Sequence, residues 1–511
     1  MKNYIVTLKD IKDKEKFCDE MSSKGSSNVN VPMRICKVIN QIDTERNIVF
    51  ELSEEEANKL KSDPRIIDVD LPAKERGYRL VTQIYRENPE IIHGYEKILD
   101  NKKDQVSAQA VFSDKFSIIS NVPQGKDVDV VIMDGGHAEP DHPEFALNPD
   151  GTGGSRINQI DWNPYMGLTG TYSYSNVQNH PTHTTGTVAG NTQGWAKKAN
   201  IYNIDMDLYD SQLWLSPTGV KNFHLSKPIN VAKNNKNPTI VNASFVNQLP
   251  TGIPFSNIKT VSYRGTTYNA PAGGFSASAL LTFGILTYNS SASNPLTIVP
   301  HGVRHSADDA SITDMINSGV IIVAAAGNSV YKIDVPGGQD YDNYYIYNTG
   351  SQDLLEYYNR GSAPGSTPNS ICVGSMAPYS VERKSLFSCS GPRIDIYAPG
   401  EGIQSSVAFY DDPDWPLPVI NDARNSNFYL GKCQGTSMAC PQVCGMMASY
   451  LESNRTLTAS QIKTVIIING KSVINEDSGL YQTNIYNGFF PYFSLQGGTN
   501  KLAYLPNARY T

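Results

Sequence analysis

Residues 130–136 read Val130-Val131-Ile132-Met133-Asp134-Gly135-Gly136. Four apolar side chains in succession, with no polar alternation, suit a strand buried on both faces, as in a parallel sheet between layers of helix. Mostly apolar runs recur at Ile201 to Met206, Thr239 to Ala243 and Val320 to Ala325. Helical segments and Gly-rich turns separate these runs. The fold class is therefore α/β, with a mostly parallel sheet between helices and a site at the carboxyl ends of its strands. This domain starts near Lys126 and is expected to cover residues 126–486. A Ser/Thr/Gly/Tyr/Pro-rich stretch, about 248–311, reads as a long surface insertion within it. Residues 487–511 read as an aromatic, loop-like tail.

A smaller α+β unit precedes it, over residues 1–72. Tyr4 to Leu8, Asn47 to Leu52 and Arg65 to Asp70 have strand composition. Ser53, followed by Glu54, Glu55 and Glu56, carries a helix-start signature with a capping box. Residues 73–125 are charged and weakly patterned, and read as a linker leading into the larger domain.

The 511 residues exceed one compact core, which agrees with this division. Hydrophobic residues at 39% and charged residues at 18% indicate a folded chain rather than a disordered one. A net charge of -7 argues against a nucleic-acid partner. No signal-like segment or membrane-length apolar run is visible, so a soluble protein made in the cytoplasm, without a membrane partner, is expected. Seven cysteines with no two-residue spacing suggest neither a disulfide framework nor a zinc site. Cys440 and Cys444 share a helix face, where core packing is the expected role.

Four segments carry chemistry. Asp134 ends a buried strand, where a carboxylate can orient a histidine; alone, Asp-Gly is also an ordinary turn. His180-Pro181-Thr182-His183 opens a run of small residues ending Gly186-Thr187-Val188-Ala189-Gly190. Pro181 suits a first helical turn, and His180 is expected at the surface. Gly435-Thr436-Ser437-Met438-Ala439 puts a serine at a loop-to-helix junction, with an exposed Oγ and a backbone N–H where negative charge is favoured. Finally, Ala324-Ala325-Ala326-Gly327-Asn328 ends a strand in an amide able to donate to an oxyanion.

Together, and in the order Asp134, His180, Asn328, Ser437, these segments resemble the subtilase family of serine proteases. Tyr397-Ala398-Pro399-Gly400 and Ser388-Cys389-Ser390-Gly391-Pro392 also resemble family segments, as does His142-Pro143-Glu144. The resemblance implies a subtilisin-like three-layer domain and a serine endopeptidase. Asp134, His180 and Ser437 would be catalytic, and Asn328 would sit in the oxyanion hole. Ser244, Phe245, Val246, Ala325, Ala326 and Gly327 would bind a polypeptide substrate, and His183 would be structural. The first 72 residues resemble the family's inhibitor-like propeptide, acting as an intramolecular partner and cleaved near residues 70–77. The chemistry requires no cofactor. Structural calcium is compatible with the resemblance, although Asn191-Thr192-Gln193 is too short for one family calcium loop and no ligand set is assigned.

Three substitutions depart from the family pattern: Gly135 after the acid, Pro181 after the histidine, and Phe245-Val246-Asn247 at the substrate edge. With the insertion and the absent leader, they support an alternative: a weakly active or inactive scaffold that binds other proteins. The chain also resembles subtilases encoded by tailed bacteriophages, which would make virion proteins its partners. An acyl hydrolase of another class is a third reading; the edge at Ser244 favours peptides.

Overall fold

A computed structural model describes residues 1–23, 27–82, 123–209, 212–249, 253–288, 297–350, 352–377, 383–412, 415, 419–472, 474–482 and 490–503. Most of the 73–125 linker and the last residues of the tail lie outside them.

The larger unit is built on a mostly parallel sheet. Six parallel strands lie side by side: Ile396–Pro399, Ile371–Ala377, Ile321–Ala325, Thr239–Ala243, Asp129–Asp134 and Asn200–Asp205. The Asp129–Asp134 strand is buried along its whole length, and so are Thr239–Ala243 and Ile321–Ala325. Their mostly apolar sequences reflect that burial. Asp129–Asp134 sits between a strand that follows it and one that comes later in the chain, so its carboxyl end opens at a change of winding direction.

The tail departs from the expected loop. Lys501–Leu502 joins this sheet beside Ile396–Pro399, with Leu502 buried opposite Tyr397. Burying Leu502 and pairing its backbone satisfies both at once.

The stretch 248–311 is structured and partly buried. Ile258–Tyr263 and Thr266–Asn269 form a hairpin that pairs with a second hairpin, Tyr344–Asn348 and Asp353–Tyr357, giving a four-stranded antiparallel sheet. Ile258, Val261, Phe275, Leu280, Ile285 and Ile298 are buried in the main core. The helix Ser306–Asn317 begins inside the expected insertion and packs on the N-terminal unit.

That N-terminal unit is an antiparallel sheet ordered Val38–Gln41, Asn47–Leu52, Lys2–Leu8, Ile66–Asp70, backed by two helices. It has its own core around Val6, Phe17, Phe50 and Leu60. The capping box forms as its sequence dictates: Glu56 N–H donates to Ser53 Oγ, and Ser53 N–H donates to the Glu56 carboxylate. Among the described residues no helix is long and apolar enough to cross a membrane.

Candidate active site

Asp134 is the last residue of its strand and is fully buried. His180 lies in the first turn of the helix Asn179–Ala189, with Nδ1 at 2.8 and 3.0 Å from the two Asp134 carboxylate oxygens. Gly135 N–H donates to Oδ1 at 2.8 Å, and Thr184 Oγ1 donates to Oδ2 at 3.2 Å. Thr184, one turn beyond His180 on the same helix face, thus supplies a hydroxyl to the carboxylate. A Cβ at position 135 would lie 2.8 Å from Asp207 Oδ2, so a side chain there would require that carboxylate to shift.

The histidine is not at the surface; 6% of it is exposed. Asn179 explains why. Its side chain accepts from Phe409 N–H at 2.7 Å and donates to Phe409 O at 3.1 Å, clamping a later loop over the helix start. Pro181 occupies the first turn, where its missing N–H costs nothing. His180 Nε2 is buried without a hydrogen-bond partner among the described residues.

His183 points elsewhere. Its Nε2 lies 2.9 Å from Ile403 O and its ring packs on Trp415. Burial, with His180 nearby, holds its pKa down at about 3, so it stays neutral.

Ser437 is the second residue of the helix Thr436–Leu451. The turn into that helix passes through Gly435 at φ 149° and ψ 166°, a region open to glycine alone. Sequence reasoning expected an exposed hydroxyl, but Ser437 is fully buried. Its Oγ instead donates to Ser244 O at 2.6 Å, while Ser244 Oγ donates back to Ser437 O at 3.0 Å. Behind it, Cys440 and Cys444 are buried, and burial raises both thiol pKa values, so they stay protonated packing groups.

Asn328 follows the strand Ile321–Ala325. Its Oδ1 accepts from both Thr436 N–H and Thr436 Oγ1 at 2.9 Å, which fixes the amide with its NH2 as the donor end. The Asn328 side chain is thereby tied to the residue before Ser437.

The edge expected from sequence to take substrate is paired within the chain. Arg79–Thr82 pairs antiparallel with Phe245–Gln248, in the register Thr82 with Phe245, Val81 with Val246, Leu80 with Asn247 and Arg79 with Gln248. Phe245 belongs to the hydrophobic core, and Val246 is buried. Asn247 donates to Asp308 at 2.9 Å. Ala325 and Ala326 are buried at the facing strand end, and Gly327 N–H donates to Thr436 Oγ1 at 3.1 Å. All the expected site residues thus converge where Asp129–Asp134, Thr239–Ala243 and Ile321–Ala325 end. The chain segment on the edge is 79–82, beyond the 70–77 window read from sequence. Thr184, Thr436 and the Ser244 carbonyl were not singled out in sequence; only Thr184, four residues after His180, left a readable signal.

At the far end of the histidine helix, Glu144 is buried and accepts from Thr192 N–H at 2.9 Å and Gln193 N–H at 3.0 Å, and pairs with Arg424. Among the described residues no group of three or more His, Cys, Asp or Glu side chains is placed to hold a metal ion.

The model of the Subtilase family matches residues 125–481, about 70% of the chain. The chain belongs to the subtilase family. It is 28% identical over 184 residues to an extracellular serine proteinase of Thermus sp. (strain Rt41A), a match covering 36% of this subtilase and 34% of that protein. It is 23% identical over 417 residues to subtilisin amylosacchariticus of Bacillus subtilis subsp. amylosacchariticus, covering 81% and 72%. The structure of fervidolysin from Fervidobacterium pennivorans, a keratinolytic enzyme related to subtilisin, superposes with a TM-score of 0.52 at 16% identity. That likeness covers 99% of this chain and 61% of fervidolysin, and it concerns the fold alone. This subtilase spans about a third of the length of the Thermus relative.

Proposed function

We propose that this subtilase is a serine endopeptidase in which Ser437 Oγ attacks the peptide carbonyl. His180 Nε2 takes the hydroxyl proton and returns it to the leaving amine. Asp134 holds the imidazole by Nδ1 and stabilises its charged form, and the oxyanion is met by the Asn328 amide and Ser437 N–H. The acyl-enzyme on Ser437 is then hydrolysed by water. The observation that carries this reading is the buried Asp134–His180 pair, whose outer nitrogen has no partner among the described residues. A histidine oriented by a buried carboxylate through Nδ1 presents Nε2 to a hydroxyl.

The N-terminal unit acts as propeptide and inhibitor. Arg79–Thr82 lies on the substrate edge in the manner of an extended peptide. The register ends at Phe245, next to the residue whose carbonyl holds Ser437 Oγ. Self-processing falls at the first peptide bonds after Thr82. In the uncleaved chain the Ser437 hydroxyl donates to Ser244 O. That same hydrogen bond is the observation favouring the alternative of a weakly active or inactive scaffold, including a virion component bound to other particle proteins.

Asn328→Ala separates the two. In an active enzyme it lowers kcat by about 100- to 1000-fold with little change in KM, because the amide acts on charge that develops only in the transition state. Wild-type protein without peptidase activity on unfolded casein would leave the scaffold reading standing.

A further inference from the structure

In the strand Asp353–Tyr357, Asp353 and Leu355 are exposed, Leu354 and Tyr357 are half-buried, and only Glu356 is buried. The two leucines are thus more exposed than the carboxylate. A glutamate is almost never buried without a dedicated partner. Here the partners come from the segment that leads onto the substrate edge. Tyr78 OH lies 3.0 and 3.1 Å from the two Glu356 oxygens and donates to that carboxylate. Arg76 Nη2 donates to Tyr78 OH at 2.8 Å and lies 3.6 Å from Glu356. Tyr78 is itself buried and precedes Arg79 directly, so it enters this pocket just before the chain begins pairing with Phe245–Gln248.

The pocket belongs to the sheet formed by the two hairpins, with Tyr345 directly across from Glu356. Tyr345 OH is engaged by His301 Nε2 at 2.9 Å. Burial raises the Glu356 pKa to about 7 even with Arg76 and Tyr78 beside it. The site is therefore strained towards protonation while filled, and it would hold a poorly partnered carboxylate if residues 76–78 left.

We propose that Glu356 is the floor of a distal substrate subsite that selects a tyrosine in an extended polypeptide, four residues before the residue that pairs with Phe245. The chain's own Tyr78 fills it in the resting molecule. This rests on the peptidase reading above and names a specificity element of the same cleft. Selection is for the phenol hydroxyl, since phenylalanine would fill the space and leave the carboxylate without its donor. An arginine two residues earlier adds a second donor to the same hydroxyl.

Two measurements test it. The first is hydrogen exchange in the full chain carrying Ser437→Ala, with and without Tyr78→Phe. Loss of a hydrogen bond to a charged group should speed exchange of the 79–82 and 245–248 amides by about tenfold or more, while the sheet of residues 2–8 and 47–52 is unchanged. Equal exchange in the two proteins would overturn the proposal, whether or not the chain is a peptidase. The second is the set of bonds the full wild-type chain cuts in a proteome-derived peptide library. Tyrosine should exceed phenylalanine several-fold at one fixed position, the fifth or sixth residue before the cut, and Glu356→Leu should abolish that preference. Cleavage with no tyrosine preference there would sink the subsite and leave the peptidase standing. No cleavage at all, with the exchange difference present, would remove the peptidase reading and, with it, the subsite as a substrate site.

Discussion

Among the contacts by which residues 1–82 grip the rest of the molecule, two are built differently. One is a sheet laid on helices. Glu45 pairs with Lys221 at 2.7 Å, both buried; Arg46 reaches Asp314 at 2.9 Å; Asn47 donates to Ala307 O and Ser311 Oγ at 3.0 Å each. Near its end, Ser306 Oγ donates to Asp68 at 2.9 Å and His305 Nε2 lies 3.0 Å from Leu71 O. Every link uses at least one particular side chain in a fixed place. The other contact is Arg79–Thr82 on the edge strand, where main-chain pairing dominates and any extended peptide could substitute. The first contact gives permanence and the second gives exchangeability. A unit held by both can stay docked while its strand yields the cleft to another chain.

The largest effect that could break this contrast is Lys221→Met. It strands the Glu45 carboxylate in the buried contact, which typically costs about 3–5 kcal/mol. In the full chain carrying Ser437→Ala, exchange of the 47–52 amides should accelerate about 100-fold or more. If exchange at 79–82 rose first and 47–52 stayed protected, the hierarchy of the two contacts would be reversed.

A smaller effect sharpens the same comparison. His305 is buried, which opposes its charge, but Asp308 at 3.4 Å, Asp70 and the Leu71 carbonyl outweigh burial and raise its pKa from 6.5 to about 9. A raised folded pKa contributes stability that is complete below 6.5 and is lost as pH rises through about 9. The urea midpoint of the Ser437→Ala chain should therefore fall between pH 7 and pH 10, and His305→Gln should flatten that fall. A midpoint independent of pH in both proteins would show that His305 adds nothing to docking.

The parts of this molecule that were legible in sequence are those fixed by local pattern. The mostly apolar runs ending at Met133, Ala243 and Ala325 named the central strands, and Ser53 with Glu56 named a helix start, because burial and capping are written in neighbouring residues. What was not legible depends on distant partners. Val261 pairs with Tyr345, far along the chain, so 248–311 looked like an insertion. Leu354-Leu355-Glu356 reads as two buried leucines and an exposed acid, whereas the acid is the buried residue because Tyr78 meets it. Likewise, nothing near Ser437 in sequence shows that Ser244 O takes its hydroxyl.

The central claim is that Ser437 is an activated nucleophile restrained by the chain's own N-terminal segment. The most direct test is the intact mass of the purified full chain after exposure to a fluorophosphonate probe, with Ser437→Ala alongside. The account predicts one adduct on wild type, on a chain that has lost a segment ending just beyond Thr82, and neither adduct nor cut in Ser437→Ala. A wild-type chain that takes no probe, whether cut or full-length, would contradict it.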